Sequence, residues 1–90
     1  MEADERIHFI GIGGSGMTPL AHIMSGLGWR VSGSDIRYSP HLADLAAIGA
    51  HVYQGHDPCV VQDAARVVVS AAVPDGDPEL VAARRLGIPV

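Results

Sequence analysis

Ile7-His8-Phe9-Ile10-Gly11-Ile12-Gly13-Gly14-Ser15-Gly16 is the stretch from which the rest of this 90-residue chain can be read. A short apolar run passes straight into a glycine cluster. The cluster opens onto Met17-Thr18-Pro19-Leu20-Ala21-His22-Ile23-Met24, whose apolar residues recur at helical spacing. Strand, glycine-rich turn and helix are the context in which a G-x-G-x-x-G pattern means phosphate binding, and Gly11, Gly13 and Gly16 fill its three positions. The first glycine permits a tight turn, the second lets a backbone approach phosphates, and the third allows close packing of helix on strand. An anion seated there meets free N–H groups and the positive end of a helix dipole.

Working outward, Arg6–Ile12 reads as a first strand buried on both faces. The helix after it runs from Ser15 or Gly16 to Leu27, with Leu20, Ile23, Met24 and Leu27 as its core-facing stripe. Pro19 is tolerable only in a first turn, and Gly26 and Gly28 mark the end. Trp29–Asp35 is a second strand. Ser39-Pro40 starts a second helix by N-cap and N1-proline logic, with Leu42, Leu45, Ala46 and Ile48 as its apolar face and Gly49 as its stop. Ala50–Tyr53 is a third strand, Gly55–Pro58 a loop, and Cys59–Ala64 at most a helical turn or two. Ala65–Ser70, with three valines in a row, is a fourth strand. Asp77-Pro78-Glu79 begins a last helix ending at Gly87, and Ile88-Pro89-Val90 is expected to start a fifth strand. Residues 1–6 form a polar lead-in.

Alternating strands and helices joined by turns of a few residues predict an α/β fold, a Rossmann-like doubly wound parallel sheet. Right-handed crossovers give the strand order 3-2-1-4-5. The Gly loop, Asp35, Gly55-His56 and Ser70-Ala71-Ala72 then gather at the C-terminal strand edge, where such sheets bind ligands.

Composition narrows the class. Nearly half the residues are apolar, as in a packed domain, and the length allows one domain. The formal charge of -4 argues against a nucleic-acid partner. All six basic residues are arginine, so a Walker A loop, which requires lysine, is excluded from these residues. The single cysteine, Cys59, cannot form an intrachain disulfide and reads as a small buried residue. No apolar run approaches the ~20 residues of a membrane helix, and the charged start is no signal peptide, so a cytoplasmic protein without a membrane partner is expected. The five histidines lack the paired spacing of a metal site.

Several residues carry two readings each. Asp35, about 20 residues beyond the loop, either accepts from ribose hydroxyls or is a solvated strand-end acid. Ser32 and Ser34 either touch a phosphate or satisfy strand-end backbone groups. His56 either contacts a ligand or caps the turn after Pro58. Ser70-Ala71-Ala72 either offers N–H groups to a ligand or is small for packing. His8 and His22 read as structural, His41 and His51 as surface positions.

The first ten residues quoted above, continued by Met17, resemble the opening of the UDP-N-acetylmuramate–L-alanine ligases, a branch of the Mur ligases of peptidoglycan synthesis. The same family is matched, in order, by Val31-Ser32-Gly33-Ser34-Asp35, Gly49-Ala50-His51-Val52 with Gly55-His56, Val67-Val68-Val69-Ser70-Ala71-Ala72-Val73, Asp77-Pro78-Glu79 and Gly87-Ile88-Pro89-Val90. The related ligases that recycle muramyl peptides usually depart from the Gly-Gly-Ser-Gly-Met loop.

The resemblance implies that residues 1–90 are the N-terminal UDP-substrate domain of a three-domain enzyme, without its central ATP-binding and C-terminal domains. It implies a role in binding the UDP part of UDP-N-acetylmuramate. Gly13, Gly14, Ser15 and Gly16 would hold the diphosphate, Ser34 and Asp35 would lie at the uridine side, and His56, Ser70 and Ala72 would line the crevice. ATP and Mg2+ would serve the full-length enzyme, which joins L-alanine to the muramyl carboxylate through an acyl phosphate. No cofactor or catalytic residue is expected within these residues, and the fragment alone is expected to be inactive. The Gly loop with Asp35 also fits a different class, the NAD(H)-binding domain of an oxidoreductase or redox sensor.

Overall fold

The computed structural model describes residues 5–37 and 39–90, so Tyr38 and most of the polar lead-in lie outside the described residues. Four strands, β1 (Arg6–Ile10), β2 (Arg30–Asp35), β3 (His51–Gln54) and β4 (Arg66–Val69), form one parallel sheet in the order β3-β2-β1-β4. Helices α1 (Met17–Gly26) and α2 (Pro40–Ala47) return the chain to β2 and β3. A 3-10 turn, Pro58–Val61, lies on the path from β3 to β4, and α3 (Pro78–Arg85) follows β4.

Four strands thus take the expected places. The fifth does not form: Ile88–Val90 have no strand assignment, and their link to the sheet is a single bond from the Val67 N–H to the Pro89 carbonyl (2.8 Å).

Side chains on successive strand residues point to opposite faces, so β1 divides the interior in two. Ile7 and Phe9, with Val31 of β2, pack under α1 and α2, against Ile12, Ala21, Leu42 and Leu45. Ile10 faces the other way, with Val61, Val67, Leu80 and Ala83 under α3 and the 3-10 turn. His8, Ser32 and Ser34, all buried, share the α3 side with Ile10 in the β1–β2 register.

The expected stripe of α1 is corrected. Leu20, Ile23 and Leu27 are exposed, Met24 is half-buried, and the buried residues are Met17, Thr18 and Ala21. The Thr18 hydroxyl donates to the Ile12 carbonyl at 2.9 Å and to the Gly14 carbonyl at 3.3 Å. That anchor turns the Thr18 face, rather than the more apolar one, toward the strand. In α2 only Leu42 and Leu45 are buried, and Ala46 and Ile48 are exposed. Cys59, expected to be buried, is exposed on the 3-10 turn. Gly28, Gly49 and Gly87, just past the three helices, take the positive φ of a glycine helix stop.

Candidate functional site

The site begins where β1 ends. Gly11 has φ 82°, and a Cβ there would lie 2.9 Å from Ser70 Cβ and 3.2 Å from Val73 Cγ2, so both conformation and space call for glycine. The N–H groups of Gly11 and Ile12 both donate to the Ser34 carbonyl (2.8 and 3.0 Å), which steers the loop along β2. Gly14 N–H closes onto the Gly11 carbonyl (3.1 Å), and Met17 and Thr18 N–H return to the Gly14 carbonyl (3.0 and 3.1 Å). Gly13 N–H donates to Asp35 Oδ2 at 3.0 Å. The N–H groups of Ser15 and Gly16 have no partner among the described residues, and α1 starts at an N-cap, Gly16, with no side chain to cap it. These are the loop's open donors.

Gly16 departs from its expected role. It is exposed, and a Cβ built on it would meet nothing within 4 Å, so it is not the point of close helix–strand packing. The close approach is instead one of loop on strand, at Gly33 in β2, where a Cβ would collide with the Ile12 side chain. A glycine inside a strand is the usual sign of such an approach.

Asp35, at the end of β2, is occupied within the chain: Oδ2 takes Gly13 N–H and Oδ1 takes Arg37 N–H (3.0 Å each). It braces the Gly loop from the side. Ser39 is the N-cap residue of α2 by position, but its hydroxyl makes no capping bond and is buried without a partner among the described residues. Of the N–H groups in Ser70-Ala71-Ala72, Ser70's goes to the Ile10 carbonyl (3.0 Å) and Ala72's to Ser70 Oγ (3.3 Å). Only Ala71's is without a partner among the described residues.

These residues enclose a cleft of about 620 Å3 at the C-terminal strand edge. Gly13, Gly14, Asp35, His56, Ser70 and Ala72 all line it, joined by Ser39 and Asp77. Ser15 and Gly16 sit beside it at the start of α1 rather than on its wall. Ser34 lies beneath, fully buried. A smaller concavity of about 250 Å3, near Arg6, Trp29 and Arg30, opens at the opposite ends of the strands and includes none of the candidate residues.

Below the cleft lies a polar cluster that the sequence did not reveal. Glu79, in the first turn of α3, is completely buried. Its Oε1 accepts from His8 Nε2 (2.7 Å) and from the Ser34 hydroxyl (2.6 Å), and its Oε2 from Asp57 N–H (2.9 Å). Burial alone would raise its pKa. The bonds from His8, Ser34 and Asp57, together with the charge of the His8 ring, outweigh burial and hold the carboxyl below its ordinary 4.5. Behind His8, its Nδ1 pairs with Ser32 Oγ (2.7 Å), which also accepts from the Arg6 guanidinium. The guanidinium's own pKa is lowered, chiefly by burial.

His56 reaches the same cluster from the cleft wall, with Nδ1 3.2 Å from Asp77 Oδ2, 3.2 Å from Ser34 Oγ and 3.4 Å from Glu79 Oε2. It does not cap the 3-10 turn; Asp57 does, accepting from Cys59 N–H at 2.9 Å. Side-chain hydrogen bonding between the Cys59 thiol and Asp57, followed by the charge of the Asp57 carboxylate, pushes the thiol up, away from nucleophilic thiolate. The pairing of His8 with Glu79 spans 71 positions, which no local pattern encodes. The one available signal was a histidine inside an apolar strand, since a buried polar group requires a partner.

Comparison with known proteins matches this arrangement. The Mur ligase family, catalytic domain, matches residues 6–90. The UDP-N-acetylmuramate--L-alanine ligase of Rubrobacter xylanophilus is 47% identical over 85 residues, which cover 94% of this chain and 19% of that protein. The chain therefore spans about a fifth of the length of the curated relatives it matches. Among solved structures, UDP-N-acetylmuramate-alanine ligase MurC from Thermotoga maritima superposes with a TM-score of 0.89 at 36% identity, over 93% of this chain and 20% of that one. The UDP-N-acetylmuramate:L-alanyl-gamma-D-glutamyl-meso-diaminopimelate ligase from Neisseria meningitides gives 0.84 at 36% identity, over 96% and 28%. With the glycine loop, the parallel sheet and the cleft at its C-terminal edge in place, these matches show that the chain belongs to the Mur ligase family.

Proposed function

We propose that the cleft binds the UDP portion of UDP-N-acetylmuramate, and that the chain acts as the substrate domain of a ligase that adds L-alanine in peptidoglycan precursor synthesis. The observation that carries this reading is the uncapped start of α1, with two unpartnered N–H groups beside a cleft large enough for a nucleotide. In this reading the loop Gly13-Gly14-Ser15-Gly16 cradles the diphosphate. Asp35 and the buried Ser34 position the uridine side, and His56, Ser70 and Ala72 form the walls. The orphaned Ser39 hydroxyl adds a polar group on the same wall.

ATP and Mg2+ are expected of the whole enzyme. This chain has no lysine for a phosphate loop, and among the described residues no three His, Cys, Asp or Glu side chains are grouped to hold a metal ion. The isolated chain is expected to release no phosphate in the presence of L-alanine and ATP.

Calorimetric titration with UDP, UDP-N-acetylmuramate and NADH tests the reading. UDP and UDP-N-acetylmuramate are expected to bind and NADH is not; binding of NADH alone would replace the ligase reading with the oxidoreductase one. Gly13→Val places atoms against Asp35 Oδ2, which a Cβ alone would approach to 2.9 Å, and is expected to abolish UDP binding while the far-ultraviolet circular dichroism is retained.

A further inference from the structure

We propose that Glu79 is a positioning residue for the ligand. From beneath the cleft it fixes the His56 ring with Nδ1 turned inward, so that Nε2 is presented as an acceptor to a hydroxyl or imide N–H of the bound nucleotide. The inference rests on the UDP reading for the identity of the ligand, but not for the orientation of the ring.

Three oxygens surround His56 Nδ1, on Asp77, Ser34 and Glu79, which belong to α3 and β2. Asp77 and Glu79 are acceptors when ionised, and the Ser34 proton is already directed to Glu79 Oε1, which leaves a lone pair facing the ring. With that proton committed, the Ser34 Oγ–His56 Nδ1 hydrogen bond puts a proton on Nδ1, and the Asp77 and Glu79 carboxylates lying within ion-pair distance favour it there. Nε2 has no hydrogen-bond partner among the described residues, and it is not among their buried unpartnered atoms, so it is open to solvent on a ring that lines the cleft. An imidazole with Nδ1–H and a bare Nε2 accepts from a donor.

Glu79 is suited to impose this orientation. Its Oε1 is anchored by His8 of β1 and Ser34 of β2, and its Oε2 holds the Asp57 N–H, so it fixes both the His56 ring and the backbone next to it. Asp77 assists, but its Oδ1 is committed to the N–H groups of Glu79 and Leu80 as the cap of α3. Glu79 touches no part of the cleft surface and acts only through His56 and the loop that carries it.

A double-mutant cycle separates this role from plain structural support. UDP affinity is measured by calorimetry for the wild-type chain, Glu79→Gln, His56→Ala and the double variant, and 15N shifts of the imidazole identify the protonated nitrogen of His56. Glu79→Gln should weaken UDP binding about tenfold, the order of one hydrogen bond. It should also shift His56 from a single Nδ1–H form to a mixture of tautomers. In the His56→Ala background the same substitution should cost nothing further. An equal loss in that background, or a wild-type His56 with its proton on Nε2, would overturn the proposal. If Glu79→Gln does not fold, Ser34→Ala, which removes the hydroxyl between Glu79 and His56, enters the cycle with the same expected coupling and the same overturning result. If the wild-type chain binds no UDP, the UDP reading fails, and the His56 tautomer in the two proteins still decides whether Glu79 positions the ring.

Discussion

Helices α1 and α3 both begin at the C-terminal edge of the sheet, beside the same cleft, and their first turns are treated in opposite ways. At α3, Asp77 caps the N–H groups of Glu79 and Leu80 through one oxygen (2.9 and 3.1 Å), and Glu79 adds a second carboxylate in the first turn. At α1 there is no capping side chain and no acidic residue in the first turn. A helix N-terminus attracts negative charge. At α3 the chain supplies that charge itself, and at α1 it leaves the place open. On the proposed reading, the contrast favours the glycine loop for a ligand's phosphates, while the acidic first turn of α3 is a wall and a foundation.

Breaking the foundation should have the largest effect. Glu79→Ala leaves the buried His8 ring, the Ser34 hydroxyl and the Asp57 N–H without their acceptor, and is expected to lower stability to urea by about 3–5 kcal/mol, as for one partner removed from a buried pair. For a 90-residue chain this is a large part of the total.

Acid probes the same group. Because the Glu79 pKa is lower in the folded chain than its ordinary 4.5, its stabilisation is complete above 4.5 and is lost as pH falls through the lower folded value. Thermal melting of the wild-type chain should therefore drop steeply below pH 4.5, and that of Glu79→Gln should drop less. Parallel pH profiles for the two proteins would remove Glu79 from the account.

The caps give the smaller effects and the most direct comparison. Asp77→Ala removes a side-chain cap and should cost about 1 kcal/mol in urea unfolding. Gly16→Ala at the uncapped start of α1 places its methyl group in open space, and stability should stay within about 0.5 kcal/mol of wild type. A large loss at Gly16 with none at Asp77 would invert the comparison.

The sequence made the architecture plain because each element carries a local signal. The glycine loop, the N-cap prolines of α2 and α3, the glycine helix stops and the valine run of β4 each depend on a few neighbouring residues. The order of the four strands then follows from handedness. The α1 stripe was misread because hydropathy alone favours Leu20, Ile23 and Leu27, whereas the Thr18 hydroxyl, bonded to the Ile12 carbonyl, sets the rotation of the helix. Most of the cleft wall was legible for the same topological reason: strand ends in a parallel sheet lie together. Its floor was not. Ser34, read as a ligand-side residue, has its hydroxyl directed into the interior, and Glu79, read as part of a helix start, is the acceptor it meets. Both facts depend on β1, β2 and α3 packing around one carboxylate, which only the tertiary structure brings together.

The open donors at the end of the glycine loop, Ser15 and Gly16, can be observed directly. Backbone amide NMR of the chain titrated with UDP should show the largest shifts at Ser15 and Gly16, with Glu79 and Leu80 nearly unchanged. Shifts concentrated at Glu79 and Leu80, or saturable shifts with NADH and none with UDP, would contradict UDP binding at the loop.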